Sequence, residues 1–472
     1  MPPPLALLLW SIFLVWLLRF DLKLSRSDSA RAGKTSLILW VPVIWISIVG
    51  SRLPSQWLGM ATGQAAQTLE EGNPLDSVIY SVLILLGVGI LISRRFKWGD
   101  VANRNLALTV YLFFALTSVL WSDYSFIAAK RWVRDLGSYL MIFIVLSDPT
   151  PLEAVRTLLR RLCFLLIPLS IMLLKYYPGI SIGYDRWTGL PEHMGVTTSK
   201  NMLGVLCLVS GIFLFWDTVM RWSKRKERWT KKVILVNVAF IAMTLWLLDM
   251  SNSATSRLCL VLGCLVIAVA HSKTIKRRPV FLEVAIPVVV CLYLVLAFGF
   301  GVDINAELAM AVGRDPSLTG RTNIWSAVLS THTNPLIGTG YESFWLGPRL
   351  RQVWALAGAV NEAHNGYLEV YLNLGLIGLF LLAVFLISSY RTVCKTYAKL
   401  PSLGSFALAL WAILPFYNVT ESAFRIQLMF VMFLLGAIAV PQALSVPGVA
   451  PLADLHLKGG EAPHSSCEKV TV

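Results

Sequence analysis

The chain has 472 residues, of which 56% are hydrophobic and only 14% charged; soluble domains carry about 25% charged residues. With 17 Trp and a mean hydropathy of +0.67, that composition excludes a soluble multidomain enzyme, a disordered chain and a disulfide-stapled secreted scaffold. The net charge of +15 invites a nucleic-acid reading, but membrane proteins concentrate basic residues in cytoplasmic loops, so placement decides.

A bilayer-spanning helix needs about 17–25 mostly apolar residues. Segments near that length recur at about 4–19, 36–51, 77–93, 106–121, 129–146, 159–175, 202–220, 233–250, 254–270, 280–300, 366–389, 405–418 and 426–442. They predict an all-α polytopic membrane protein with about 12–13 transmembrane helices. The segment 405–418 is short and contains Pro415. No positive charge precedes the first segment and no small-residue cleavage site follows it, so it reads as a helix rather than a signal peptide.

With the N-terminus outside, the connections at 19–35, 94–105, 147–158, 221–232, 271–279 and 390–404 face the cytoplasm with the C-terminus. They hold the strongly basic runs, Arg221-Trp-Ser-Lys-Arg-Lys-Glu-Arg-Trp-Thr-Lys-Lys232, Lys276-Arg277-Arg278 and Arg94-Arg95-Phe-Lys97. All fall on one side, as the positive-inside rule requires, so the basic runs set topology and no nucleic-acid partner is expected. Six of the seven cysteines lie within or beside apolar segments, Cys467 lies in the tail, and no CxxC spacing occurs; neither a disulfide framework nor a zinc site is indicated. Residues 1–442 form the membrane domain, and 443–472, rich in Pro and Gly, read as a disordered cytoplasmic tail.

The long outer connection 301–365 has helical periodicity around Ile324–Leu329 and turn signals at Pro335, Gly338 and Gly340. A loop of that length is usually functional. Shorter outer loops span 176–201 and 122–135. Charged and polar residues on this face are the candidate site. Lys130, Arg131 and Arg134 share one helix face near the outer boundary. An anionic partner, a water-filled cavity or snorkelling to lipid phosphates would each accommodate them. Arg186 lies in Tyr184-Asp-Arg-Trp-Thr-Gly189. Lys200 and Asn201 open the next helix, where the N-terminus favours anions. Arg257 follows Ser251-Asn-Ser-Ala-Thr255. Arg321 precedes an amphipathic helix, Tyr341 closes Asn334-Pro-Leu-Ile-Gly-Thr-Gly-Tyr341, and His364-Asn365 run into an apolar helix. The positive end of that helix disfavours imidazolium, which predicts a neutral His364 able to accept a proton. Outer aromatics such as Tyr341, Trp345 and Tyr367 could stack on sugars, although interfacial aromatics commonly form a belt. No GxxxxGK[ST], HExxH or paired-Cys motif is present, and no carboxylate or Lys occupies the middle third of a span, which argues against an ion-coupled transporter.

Several of these pieces resemble the O-antigen ligase and Wzy-type polysaccharide polymerase superfamily, in its exopolysaccharide-production branch. Trp121-Ser-Asp123 with downstream Arg is similar to that branch's first segment. Gly195-Val-Thr-Thr-Ser-Lys-Asn-Met-Leu-Gly204 is similar to its "G-x-F-x-H-K-N-x-L-G", departing at Thr197 and Ser199. Ser251-Asn-Ser-Ala-Thr255, Thr319-Gly-Arg-Thr-Asn-Ile-Trp325, Asn334–Tyr341 and Ala363-His-Asn-Gly-Tyr-Leu368 resemble its remaining signatures. The resemblance runs from about 106 to 390, and the order of the motifs on one face makes it specific.

The resemblance implies a GT-C-type, metal-independent, inverting glycosyltransferase of the bacterial inner membrane, with no cofactor and with its long loop in the periplasm. The implied donor is a glycan on undecaprenyl diphosphate, and the acceptor a second glycan or a lipid. A chain-length regulator or export machinery would be further partners. Arginines would hold the diphosphate and the loop histidine would activate the acceptor hydroxyl. The catalytic candidates are therefore His364 and Arg321; the diphosphate- or substrate-binding candidates are Arg131, Arg134, Lys200, Asn201, Arg186, Arg257, Tyr341 and Asn365. Polysaccharide polymerisation is the leading activity. The alternatives are O-antigen ligation or protein O-oligosaccharyl transfer, a glycan flippase or exporter that makes no bond, and a non-catalytic assembly subunit.

Overall fold

The structure, a computed structural model, describes residues 1–32, 37–60, 72–184, 189–272, 275, 280–300 and 321–440. Among them the chain is almost wholly helical. The exception is a short hairpin in which Ile182–Tyr184 pairs antiparallel with Pro191–His193, Gly183 opposite Glu192. Helices satisfy their own backbone hydrogen bonds, which the hydrocarbon of a bilayer demands.

All thirteen apolar segments contain helix, but they are not alike. Eight helices among the described residues are long and apolar enough to cross a membrane: Pro3–Leu24, Pro74–Ser93, Pro151–Tyr176, Lys200–Lys224, Arg228–Ser251, Ala254–His271, Gly366–Lys399 and Pro401–Thr420. The pair Trp98–Arg104 and Leu106–Trp121, bent by 100°, brings the number to nine if counted as one span. The expected 12–13 is larger for two reasons. Ser125–Leu146 carries Lys130, Arg131, Arg134 and Asp135 in its first half. Leu37–Val49, Glu283–Leu294 and Leu428–Ala437 are short. Every residue of Leu428–Ala437 is buried, so this helix is apolar all round because protein surrounds it. By contrast Leu8, Ile12 and Trp16 of the first helix are exposed, the surface that lipid would cover.

Charge is sorted to two ends. Arg160 and Arg161 hold Asp21, Arg94 holds Asp148 and Arg221 holds Asp217, at 2.5–3.1 Å; all lie in or beside the loops predicted to be cytoplasmic. Arg321–Glu421, Arg425–Glu342, Arg349–Asp123 and Lys200–Glu192, at 2.6–2.7 Å, join loops predicted to lie on the opposite face.

The described part of the long loop is folded, not slack. Helices Arg321–Ser330 and Gly347–Ala357 close a small core of Ile324, Val328, Phe344, Trp345, Leu350 and Val353 on Ala363 and Leu372. Between them, 334–340 lies along a break in the Gly366–Lys399 helix. Gly375 there has φ 67°, ψ −165°, a region open essentially only to glycine. The break frees helix backbone groups, and the strap takes them up. Leu376 and Ile377 donate to the carbonyls of Pro335 and Leu336 at 2.9 and 3.1 Å; Thr339 and Gly340 donate to those of Leu372 and Asn373 at 3.1 and 2.9 Å. The contact is backbone on backbone: a Cβ on Gly375 would stand 2.3 Å from the Leu336 carbonyl group, and one on Gly338, which has positive φ, 2.4 Å from Asn373. Gly375→Ala and Gly338→Ala are each expected to destabilise the protein by about 2–3 kcal/mol, read as a fall in apparent Tm of the detergent-purified protein. Gly89→Ala, where a Cβ meets nothing within 4 Å, should leave Tm unchanged; equal Tm for all three variants would remove the strap's structural role.

Candidate active site

On the face predicted to be outer, several candidate residues converge on Glu421, which is 5% exposed. It ends the Pro401–Thr420 helix, its N–H donating to the Tyr417 carbonyl at 3.0 Å. Its Oε1 accepts from Arg321 Nη2 at 2.7 Å, and its Oε2 accepts from Asn201 Nδ2 at 3.2 Å. His364 Nδ1 lies 3.6 Å from the same Oε2 and 3.2 Å from Oε1 of Glu362. Each partner is held by a local device. Arg321 opens its helix. Asn201 sits in the first turn of a helix capped by Ser199, whose Oγ accepts from Met202 N–H. His364 is gripped on both sides: the Ala363 N–H donates to Glu369 at 2.6 Å, the Ala363 carbonyl accepts from Trp325 Nε1 at 2.8 Å, and Asn365 caps the following helix. His364 itself has φ 49°, an uncommon left-handed backbone for a non-glycine residue and one that persists where surroundings over-determine it.

The His364 environment differs from that of a bare helix terminus. Burial works against the imidazolium, but Glu362 and Glu421 outweigh burial and the opposing charge of Arg321, and hold the group above its ordinary value. Two full charges within 4 Å dominate the partial charge of a helix terminus. The carboxylates also face Nδ1, which leaves Nε2 as the nitrogen not turned toward a carboxylate.

A second group lies beside the first. Arg425 grips Glu342 with two parallel hydrogen bonds, Nε to Oε1 at 3.1 Å and Nη2 to Oε2 at 2.7 Å. Arg131 donates to the Glu342 carbonyl. Burial would raise the Glu342 carboxyl, yet Arg425 and Arg131 hold it below the usual range. Tyr341, delivered by the strap, donates its hydroxyl to Asp135 Oδ2 at 2.9 Å, and Arg134 pairs with Asp135 Oδ1 at 2.8 Å. Arg134 and Asp135 face a cleft of about 250 Å³ whose other wall includes Trp45, Ile48, Met202 and Ile426. The segment 421–425 carries both Glu421 and Arg425, and Arg425 Nη1 also donates to the Asn361 carbonyl at 3.4 Å, so the two groups share one frame.

The structure therefore brings together Arg321, His364 and Asn201 in one group and Arg131, Arg134 and Tyr341 in the other. The other described candidates have partners of their own. Lys200 pairs with Glu192 of the hairpin at 2.6 Å. Arg257 closes the local turn onto Asp249 at 2.9 Å. Asn365 spends its Oδ1 on the Leu368 N–H as a helix cap. The Tyr341 hydroxyl is engaged with Asp135. Trp345 is buried with Nε1 on Glu369, and Tyr367 donates to the Pro415 carbonyl. Arg186 lies outside the described residues. Sequence reasoning missed Glu421, Arg425 and Glu342. The available signal was a Glu and an Arg four residues apart in the short connection between two apolar helices.

Chemically, the first group offers a guanidinium, an amide and an imidazole around one carboxylate, a set suited to an anionic substrate and a proton transfer. Glu362, His364 and Glu421 also present one donor atom each within 4.8 Å of one another, close enough to hold a metal ion; Arg321 competes for Glu421 there.

Residues 238–383 match the family profile described as O-antigen ligase. That stretch takes in Arg321, the strap and His364 but ends before Glu421 and Arg425. Over 312 residues the chain is 25% identical to the exopolysaccharide production protein ExoQ of Rhizobium meliloti (strain 1021), covering 64% of this chain and 68% of that protein. The resemblance read from the motifs is borne out.

If neutral His364 accepts a proton, kcat/KM falls as pH drops through a value above the ordinary 6.5 of histidine. Glu362→Gln removes a carboxylate that stabilises the imidazolium, so the acid limb should move to lower pH. A limb unmoved in that variant would show that His364 is not the titrating group.

Proposed function

We propose that this chain, a multi-pass membrane protein of the O-antigen ligase superfamily and its exopolysaccharide-production branch, is a glycosyltransferase that joins undecaprenyl-diphosphate-linked oligosaccharide units on the periplasmic face of the bacterial inner membrane. The observation that carries this reading is the convergence of Arg321, Asn201 and His364 on Glu421, beside the Arg131–Arg134–Arg425 group, on the face opposite the basic loops.

The chemistry follows from the groups. The acceptor hydroxyl oxygen forms a bond to the anomeric carbon and gives its proton to His364. The bond from that carbon to the diphosphate breaks, and its electron pair leaves with the diphosphate. Negative charge grows on the leaving group, where guanidinium donors, permanently charged and forked, stabilise it. Arg321 supplies that charge beside the base, with Arg131, Arg134 and Arg425 close by. Direct displacement inverts the anomeric centre. No metal is needed for charge stabilisation in this scheme. Similarity to an exopolysaccharide production protein favours a second carrier-linked unit as the acceptor, hence polymerisation over ligation.

The test is reaction of the purified protein with a synthetic undecaprenyl-diphosphate-linked repeat unit, with products sized by gel. A ladder of products is expected, and it should persist in EDTA. A ladder abolished by EDTA and restored by a divalent cation would assign Glu362, His364 and Glu421 to a metal and overturn the metal-free scheme. No product from active-site-intact protein, with transport of the lipid in vesicles, would favour a flippase. Arg321→Lys keeps the charge but loses the fork, and turnover should fall on the order of 100-fold with expression unchanged. Full activity in that variant would count against diphosphate clamping.

A further inference from the structure

We propose that Glu421 is a positioning residue that couples donor binding to the base: Arg321 holds it until a diphosphate takes Arg321 away, and Glu421 then orients the His364 imidazole. This inference rests on the function proposed above and adds an order of events to it.

The observation is an uneven sharing of one carboxylate. Arg321 holds Glu421 at 2.7 Å and Asn201 holds it at 3.2 Å, whereas His364 Nδ1 stands 3.6 Å from it. Among the described residues Nδ1 is buried without a well-aligned hydrogen bond, although Oε1 of Glu362 is 3.2 Å away. A buried N–H donor without an aligned acceptor is unfavourable, so the ring in this state is held but not yet oriented. Everything else around it is fixed. Ala363 and Asn365 are tied to Glu369, Trp325 and the helix start. Glu421 is anchored by the end of its helix, where Thr420 Oγ1 also meets Thr255 Oγ1 at 2.8 Å. The contact that an anionic ligand would exchange is the Arg321–Glu421 ion pair.

A lipid diphosphate offers Arg321 more acceptor oxygens and more charge than one shared carboxylate. When Arg321 turns to it, Oε1 loses its partner and the carboxylate can rotate, bringing Oε2, still held by Asn201, onto Nδ1–H. That bond fixes the tautomer, leaving Nε2 as the acceptor of the hydroxyl proton. Donor binding energy is thereby used to assemble the base rather than to tighten the ground state. The consequence is that removing the carboxylate helps binding and harms turnover.

The experiment compares wild type, Glu421→Gln and Glu421→Asp in nanodiscs. Binding is measured with undecaprenyl diphosphate alone, and turnover with the carrier-linked repeat unit. Coupling predicts that Glu421→Gln binds undecaprenyl diphosphate as tightly as wild type or several-fold tighter, while kcat falls at least 100-fold. Glu421→Asp, which keeps the charge one methylene shorter, should recover kcat to within about tenfold. A purely structural clasp predicts the reverse split: weaker binding, a lower Tm and no rescue by Asp. Retained kcat in Glu421→Gln overturns the coupling alone, because wild type still binds and transfers. If Glu421→Gln does not fold, Glu421→Asp decides: undecaprenyl diphosphate bound as tightly as by wild type with kcat within about tenfold is expected, and a loss of 100-fold or more in kcat with binding intact would overturn the hand-off. Wild-type protein that fails to bind undecaprenyl diphosphate overturns both the coupling and the function it rests on.

Discussion

Placing guanidinium groups near the boundary of a bilayer is tolerable only if each finds an anion, because an unpaired buried charge costs several kcal/mol. This protein meets the constraint internally. Asp135, Glu342 and Glu421 each take an arginine, and Glu362 joins Glu421 at His364. These arginines are therefore paired with protein carboxylates before any substrate arrives. Binding a diphosphate to such a site is an exchange of counter-anions rather than the filling of a bare positive hole. That makes the protein carboxylates competitors of the substrate, and it gives each of them a second destination once displaced.

The exchange needs a rigid frame, and the frame is built from broken regularity. The Gly366–Lys399 helix breaks at Gly375, and the strap from the long loop repairs the break with its own backbone. Irregular backbone near a membrane persists where protein satisfies it. The same strap ends in Tyr341 and Glu342, which it sets against Asp135, Arg131 and Arg425. On the other side, the connection 421–425 supplies a carboxylate to one group and a guanidinium to the other. Two connections between apolar helices thus define the site, and the helices act as their mounts.

Much of this was legible in the sequence, because the period of apolar residues and the bias of basic loops are local signals. They gave the helical segments and the two faces, and with the motifs they put Arg321, His364, Asn201, Arg131 and Arg134 on one surface. What local signals could not supply was the partner of each charge. Arg321 meets a carboxylate 100 residues away and Arg425 meets one 83 residues away; no spacing rule connects them. The same limit hides local duties. Asn365 looks like a polar binding residue next to a histidine but serves as a helix cap, and Arg257 looks like a free outer cation but closes its own turn. The expectation for the histidine rests on the helix that follows it, whereas the nearer carboxylates pull its pKa upward. The burial of a helix is equally non-local: Leu428–Ala437 is apolar, and every one of its residues is covered by protein.

The central claim is that a lipid-linked diphosphate is received on the outer face between the Arg321–His364 group and the arginines beside it. A cryo-EM reconstruction of the protein in nanodiscs with undecaprenyl diphosphate tests this most directly. Our account predicts diphosphate density within hydrogen-bonding distance of Arg321, with the Arg321–Glu421 pair opened. Density at Lys200 or Arg257, or among the basic loops of the opposite face, with the Arg321–Glu421 pair intact, would contradict it.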